Sequence, residues 1–166
     1  INLNLFYNDK KYVRLKNVSK DNNLIKILLE FDDIGLFLDN TNISSSILNG
    51  SGNILIDINK KNFDVHKGII DIADSSIKNS SFLARLLQLA SFTGLLEILT
   101  NDGIPFNKIE GDFTKTENKI SIHNAKFKGF SLGGSLEGYI ELNTNKINLQ
   151  GVIVPAYAIN SLINKI

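Results

Sequence analysis

The chain contains no cysteine. Disulfide staples, zinc–thiolate centres and thiol nucleophiles are therefore excluded, while the compartment stays open, because a disulfide-free protein folds in oxidising surroundings too. Methionine is absent as well, and the sequence starts at Ile1 inside a strand-like pattern and stops at Lys165-Ile166 inside a helical one. Both ends read as cuts through a longer polypeptide. A surplus of one charge sign is also missing, with 18 Lys and Arg against 17 Asp and Glu. A nucleic-acid-binding face concentrates cations among aromatics, whereas these lysines are scattered among Asn and Ile, so no nucleic acid is expected as partner. Histidine occurs only at His66 and His123. Neither has a second ligand at metal-binding spacing, so each is read as a strand residue, with no metal and no cofactor.

Other catalytic arrangements are equally scarce. The neighbours Asp32 and Asp33 stand where a helix begins, and capping of orphan backbone N–H groups explains them better than acid–base work. Gly50-Ser51-Gly52 and Gly133-Gly134 lack the strand-to-helix setting and the Lys-Ser/Thr ending of a phosphate loop, and read as turns or bulges. No Gly-x-Ser-x-Gly elbow presents a nucleophile. An active site needs several converging groups, so a non-enzyme without catalytic residues is expected.

What is present is a dense alternation of apolar and polar residues. At 166 residues and 43% hydrophobic content, the chain fits one domain over 1–166 with a sizeable core. Residues 2–18 predict a hairpin around Asn8-Asp9-Lys10-Lys11. Ile25, Ile27 and Leu29 alternate with Lys26, Leu28 and Glu30 in a strand over 23–31. A short helix follows through Ile34 and Leu38, closed by Gly50-Ser51-Gly52. Ile54, Ile56 and Ile58 mark the next strand, and residues 63–77 another, whose apolar phase slips near Gly68 as a bulge would make it slip. Four more strand patterns cover 108–115, 119–127, 132–142 and 146–154, and short polar turns between them predict an antiparallel meander.

Between these halves runs Phe82 to Leu99, apolar around more than half of the helical wheel, with Ser80-Ser81 before it, Gly103 after it and a break expected near Gly94. A membrane span is disfavoured, because the run barely reaches the roughly 20 residues a bilayer requires and carries Arg85, Gln88 and Glu97. After Pro155, the residues Ile159, Leu162, Ile163 and Ile166 form an apolar stripe at helical spacing. The expected fold is α+β: a curved antiparallel sheet, an apolar central helix or helix pair packed on one face, and a C-terminal amphipathic helix.

A family resemblance lies in particular words: Phe82-Leu83-Ala84-Arg85-Leu86-Leu87, then Ser91-Phe92-Thr93-Gly94-Leu95-Leu96, then Gly103-Ile104-Pro105-Phe106, and finally Gly151 through Leu162. In that order they resemble the C-terminal region of AsmA-like bacterial envelope proteins, in particular the large YhdP-like branch. The likeness is firm from Ser81 onward, while Asp32-Asp33-Ile34-Gly35 matches more weakly. It implies a non-enzymatic module on the periplasmic side of the inner membrane, anchored by a segment outside this chain. It also implies a long β-structure whose apolar groove conducts phospholipid toward the outer membrane.

Two functions follow as expectations. The first is phospholipid transport between the membranes, or a share in outer-membrane biogenesis, with an acyl lipid as partner and Leu86, Leu89, Phe92 and Leu96 as candidate lipid contacts. The bland alternative for those four is plain core, which is where apolar helices usually end. The second is a periplasmic scaffold that assists outer-membrane protein assembly by binding envelope proteins through strand addition. A continuous apolar channel open to solvent favours lipid, and a filled core with an exposed flat edge favours protein.

Overall fold

Period-two alternation dominates this sequence, and the computed structural model resolves it into strands. Residues 2–7, 11–18, 23–62, 64–89, 94–144 and 146–155 are described. The nine strands are β1 (Asn2–Tyr7), β2 (Lys11–Asn17), β3 (Leu24–Phe31), β4 (Ile47–Asn59), β5 (Val65–Ile77), β6 (Ile104–Lys115), β7 (Lys119–Lys128), β8 (Leu132–Glu141) and β9 (Ile147–Pro155). They form one curved, open sheet in strict sequence order with every neighbouring pair antiparallel. The meander expected from the short turns is thus the architecture. Among the described residues three short helices accompany it: α1 (Ile34–Asn40) between β3 and β4, then α2 (Ser81–Leu89) and α3 (Gly94–Asn101) between β5 and β6.

Local chemistry starts α1 and α2. Of the two neighbouring aspartates, Asp33 is the cap of α1: its Oδ1 accepts from the Leu36 N–H at 2.9 Å, and Asp32 stays exposed. Ser80 caps α2, its Oγ accepting from the Leu83 N–H at 3.2 Å. The apolar run 82–99 contributes α2 and α3, and residues 90–93 lie outside the described set. The helix expected after Pro155 also lies outside the described residues.

Two buried clusters tie helices to sheet. Leu83 and Leu87 of α2 and Leu99 of α3 pack with Ile104, Phe106 and Leu132. Ile34 of α1 packs with Val13, Phe31 and Ile72. Gly35 lets α1 lie directly on β4, since a Cβ there would stand 2.6 Å from the Asn49 nitrogen and the Ile47 carbonyl oxygen.

Several expected boundaries move. Gly50 and Gly52 do not close a loop; both lie inside β4, which begins at Ile47. The bulge expected near Gly68 lies two residues earlier, where Asp57 pairs with Lys67 but Ile58 pairs with Val65, leaving His66 as the extra residue. A second phase change falls at Asp74, a non-glycine with φ 53, beside Asn49 with φ 56 and Gly50 with φ 93 on β4. The β4–β5 register continues through them, while the more buried side chains of β5 change from Ile70 and Ile72 to Ser75 and Ile77. β6 begins at Ile104, earlier than the expected 108, and includes Pro105. That proline is tolerated because its carbonyl faces Gly129, beyond the end of β7, where no ladder bond from its nitrogen is required.

Candidate functional site: one apolar face across nine strands

Register assembles the face that the helices share. One cross-strand row runs Val13, Phe31, Gly52, Ile72, Ile109, Phe127, Gly134, Ile153, spanning β2 to β9 without a polar side chain. A row two positions further from the helices holds Leu15, Leu29, Ile54 and Ile70, and is continued by Ala125 and Leu136. The next holds Ile27, Ile56, Gly68, Phe113, Ile122 and Leu149. The last carries Ile25, Ile58 and Val65 on one side, and Lys115, Ile120, Ile140 and Ile147 on the other. Across these four rows Lys115 is the one charged side chain among the described residues.

The opposite face is mixed: Leu28, Leu55 and Ile69 form a short apolar row across β3 to β5, and ion pairs flank it. Glu30 receives Arg14 at 3.2 Å and Lys16 at 2.9 Å, Lys26 meets Asp57 at 2.8 Å, and Lys108 pairs with Asp71. The hydrogen bond from Lys16, aided by the two positive charges, holds the Glu30 carboxyl below its ordinary value. Such pairs, partly exposed to solvent, add little stability.

Helices cover only part of the apolar face. Toward the helical end the core is closed, with Leu87, Leu99, Ile104 and Leu132 at 0% exposure. Beyond it two almost wholly apolar cavities share Ile109, Ala125 and Leu136. One, of about 270 Å3, reaches Leu83 of α2 and Leu149 of β9. The other, of about 310 Å3, extends along Phe113, Ile120 and Ile122 toward the far end. Gly68 shapes this second hollow, for a Cβ there would overlap the Phe113 ring that lies across it. At the end of the sheet remote from α2 and α3, a polar notch of about 650 Å3 lies between the β4–β5 and β6–β7 turns.

The expected contact residues fare unequally. Leu86 and Leu89 lie within α2, and Phe92 falls outside the described residues. Leu96, on α3, is half-buried and packs against the Leu87–Leu99 cluster. The uncovered strand residues Phe113, Ile122, Leu136 and Leu149 were not singled out from sequence. Their signal was present in the even spacing of each strand, but it becomes a surface only when nine alternations are aligned in register. His123 shares a 3.1 Å hydrogen bond with Thr114 on the polar face, while His66 is exposed at the notch. Among the described residues no three His, Asp or Glu side chains gather as a metal site, and no helix is long and apolar enough to cross a membrane. The chain matches no protein-family model, no curated protein and no solved structure.

Proposed function

We propose that this chain is a lipid-handling module whose half-covered apolar face holds acyl chains. The observation that carries the reading is the row from Val13 to Ile153, continued by three more apolar rows of which the helices cover only part. A single-layer sheet normally hides such a face under helices or a second sheet. Here it remains reachable at Phe113, Ile122 and Leu149, each half-buried with cavity space above. An acyl chain laid there gains about 0.8 kcal/mol for each CH2 removed from water. The AsmA-like resemblance agrees with this reading and adds a setting: the periplasmic side of the bacterial inner membrane, transport toward the outer membrane, and an anchor outside this chain. Binding without chemistry fits the same surface.

Native mass spectrometry of the chain purified from bacteria tests the proposal directly. Co-purifying lipid is expected with the wild type, and its loss is expected for Ile122→Asp or Ile140→Asp when circular dichroism shows the sheet intact. Lipid-free wild-type protein, or variants that retain lipid unchanged, would overturn it.

A second reading, a scaffold for envelope proteins, draws on the outermost strand. On β9, Ile147 and Val152 are 51% and 59% exposed, and strand addition to that edge would extend the meander. Charged substitutions at Val152 would then weaken protein capture while sparing lipid.

A further inference from the structure

The charge pattern of the apolar face contains one exception, and it sits at a defined place. Lys115 ends β6 in the row farthest from α2 and α3, between Ile120 on β7 and the notch. It is half-buried and, among the described residues, has no ion-pair partner, as is also true of Lys67, Lys126 and Lys128; it differs from them in standing on the apolar face. A phosphate brought beside that ammonium would gain a charge-assisted hydrogen bond.

The notch supplies further polar groups of both signs. Asn59, Asn62 and His66 offer donors from the β4–β5 side, and Thr116 lies beside Lys115. Two carboxylates, Asp64 and Glu117, complete the lining. Asp64 is oriented by the Asn62 side-chain amide, which donates to it at 2.8 Å. A ligand with net negative charge would meet those two carboxylates unfavourably. A head that carries a phosphate and an ammonium together matches the set, phosphate toward Lys115 and ammonium toward Asp64 or Glu117.

Length sets the orientation. From Lys115 back to Ile109 is six residues of β6, about 20 Å at the rise of an extended strand. Half of a bilayer's hydrocarbon core is about 15 Å, the reach of one lipid's chains. The apolar face between the notch and the cavity beneath α2 therefore accommodates an acyl chain, while Leu87, Leu99, Ile104 and Leu132 close the far end.

We propose that the notch at Lys115 seats the head of a zwitterionic phospholipid, with its acyl chains running inward along Phe113 and Ile122 toward α2. The inference rests on the acyl-binding reading of the face and adds to it a head-group class and a direction of entry: the lipid enters chains first and its head stays at the open end.

The test uses three lipids with identical dioleoyl chains, namely phosphatidylethanolamine, phosphatidylglycerol and diacylglycerol, each titrated into the purified chain and counted by native mass spectrometry. Wild-type protein should retain phosphatidylethanolamine about tenfold better than diacylglycerol, the scale of one charge-assisted hydrogen bond. Lys115→Gln should erase that preference while leaving diacylglycerol binding unchanged. Asp64→Asn combined with Glu117→Gln should shift the preference toward phosphatidylglycerol. An unchanged ratio in Lys115→Gln, with all lipids still bound, overturns the head-group site and leaves the acyl groove standing. No binding of any lipid, diacylglycerol included, removes the groove and this inference together. Soluble glycerophosphoethanolamine that binds as tightly as the full lipid would make the notch a site for free phosphate esters and would equally overturn the proposal.

Discussion

At the scale of single residues, Ser75 and Glu30 show how the same polar chemistry acts in opposite settings. Ser75 is 2% exposed, its hydroxyl has no hydrogen-bond partner among the described residues, and it follows the left-handed Asp74. A buried hydroxyl without a partner forfeits its hydration, so Ser75→Ala should raise stability by about 1 kcal/mol, read as a higher urea midpoint with unchanged slope. A lower midpoint would mean that the hydroxyl is satisfied by bound water. Glu30 is the contrary case, an accessible carboxylate stabilised in its charged form by Lys16 and then Arg14. Its folded pKa is depressed, so its contribution is present above the ordinary glutamate range and is lost as pH falls through the lowered value. Stability measured against pH should therefore decline less steeply on the acid side in Glu30→Gln than in the wild type. Identical acid limbs would assign the pH dependence to other carboxylates.

At the scale of elements, helix starts were legible because caps are local. The acidic pair before Ile34 and the serines before Phe82 both announce a helix, and hydrogen-bond geometry selects Asp33 and Ser80 from each pair. Replacing Ser80 by Ala should cost about 1 kcal/mol, a typical cap, visible in the thermal midpoint; no change would mean that the Leu83 amide finds another acceptor. The left-handed positions inside β4 and β5 were not legible. Asn49 and Asp74 adopt that backbone within strands, and the same residue types equally mark ordinary turns, so spacing alone read Gly50-Ser51-Gly52 as a turn or bulge closing the helical segment. Pro105 misled in the same way, since only the paired geometry reveals that its missing N–H faces no partner strand. Asn124, φ 48, is a further case: it bulges β7 against both β6 and β8, and no alternation in the sequence marks it.

At the scale of the whole molecule, the meander was readable from turn lengths, but the site was not, because it is a property of register. Ile27, Ile56, Phe113, Ile122 and Leu149 are far apart in the chain and become one row only through successive pairings. The sequence drew notice to the central apolar run, of whose described side chains Leu83, Leu87 and Leu99 are buried and Leu96 packs against them. Stability and binding should consequently separate along the sheet. Leu87→Ala, at 0% exposure, should cost about 2–5 kcal/mol by leaving a cavity, yet the folded fraction should still bind an acyl probe. Ile122→Ala removes apolar contact from a half-buried site beside open space and should cost less stability, while weakening the probe several-fold. Urea titrations paired with displacement of a fluorescent fatty acid measure both quantities on the same samples. If the two variants lost stability and binding in equal proportion, the face would be a continuous core and the cavities beside it incidental to function.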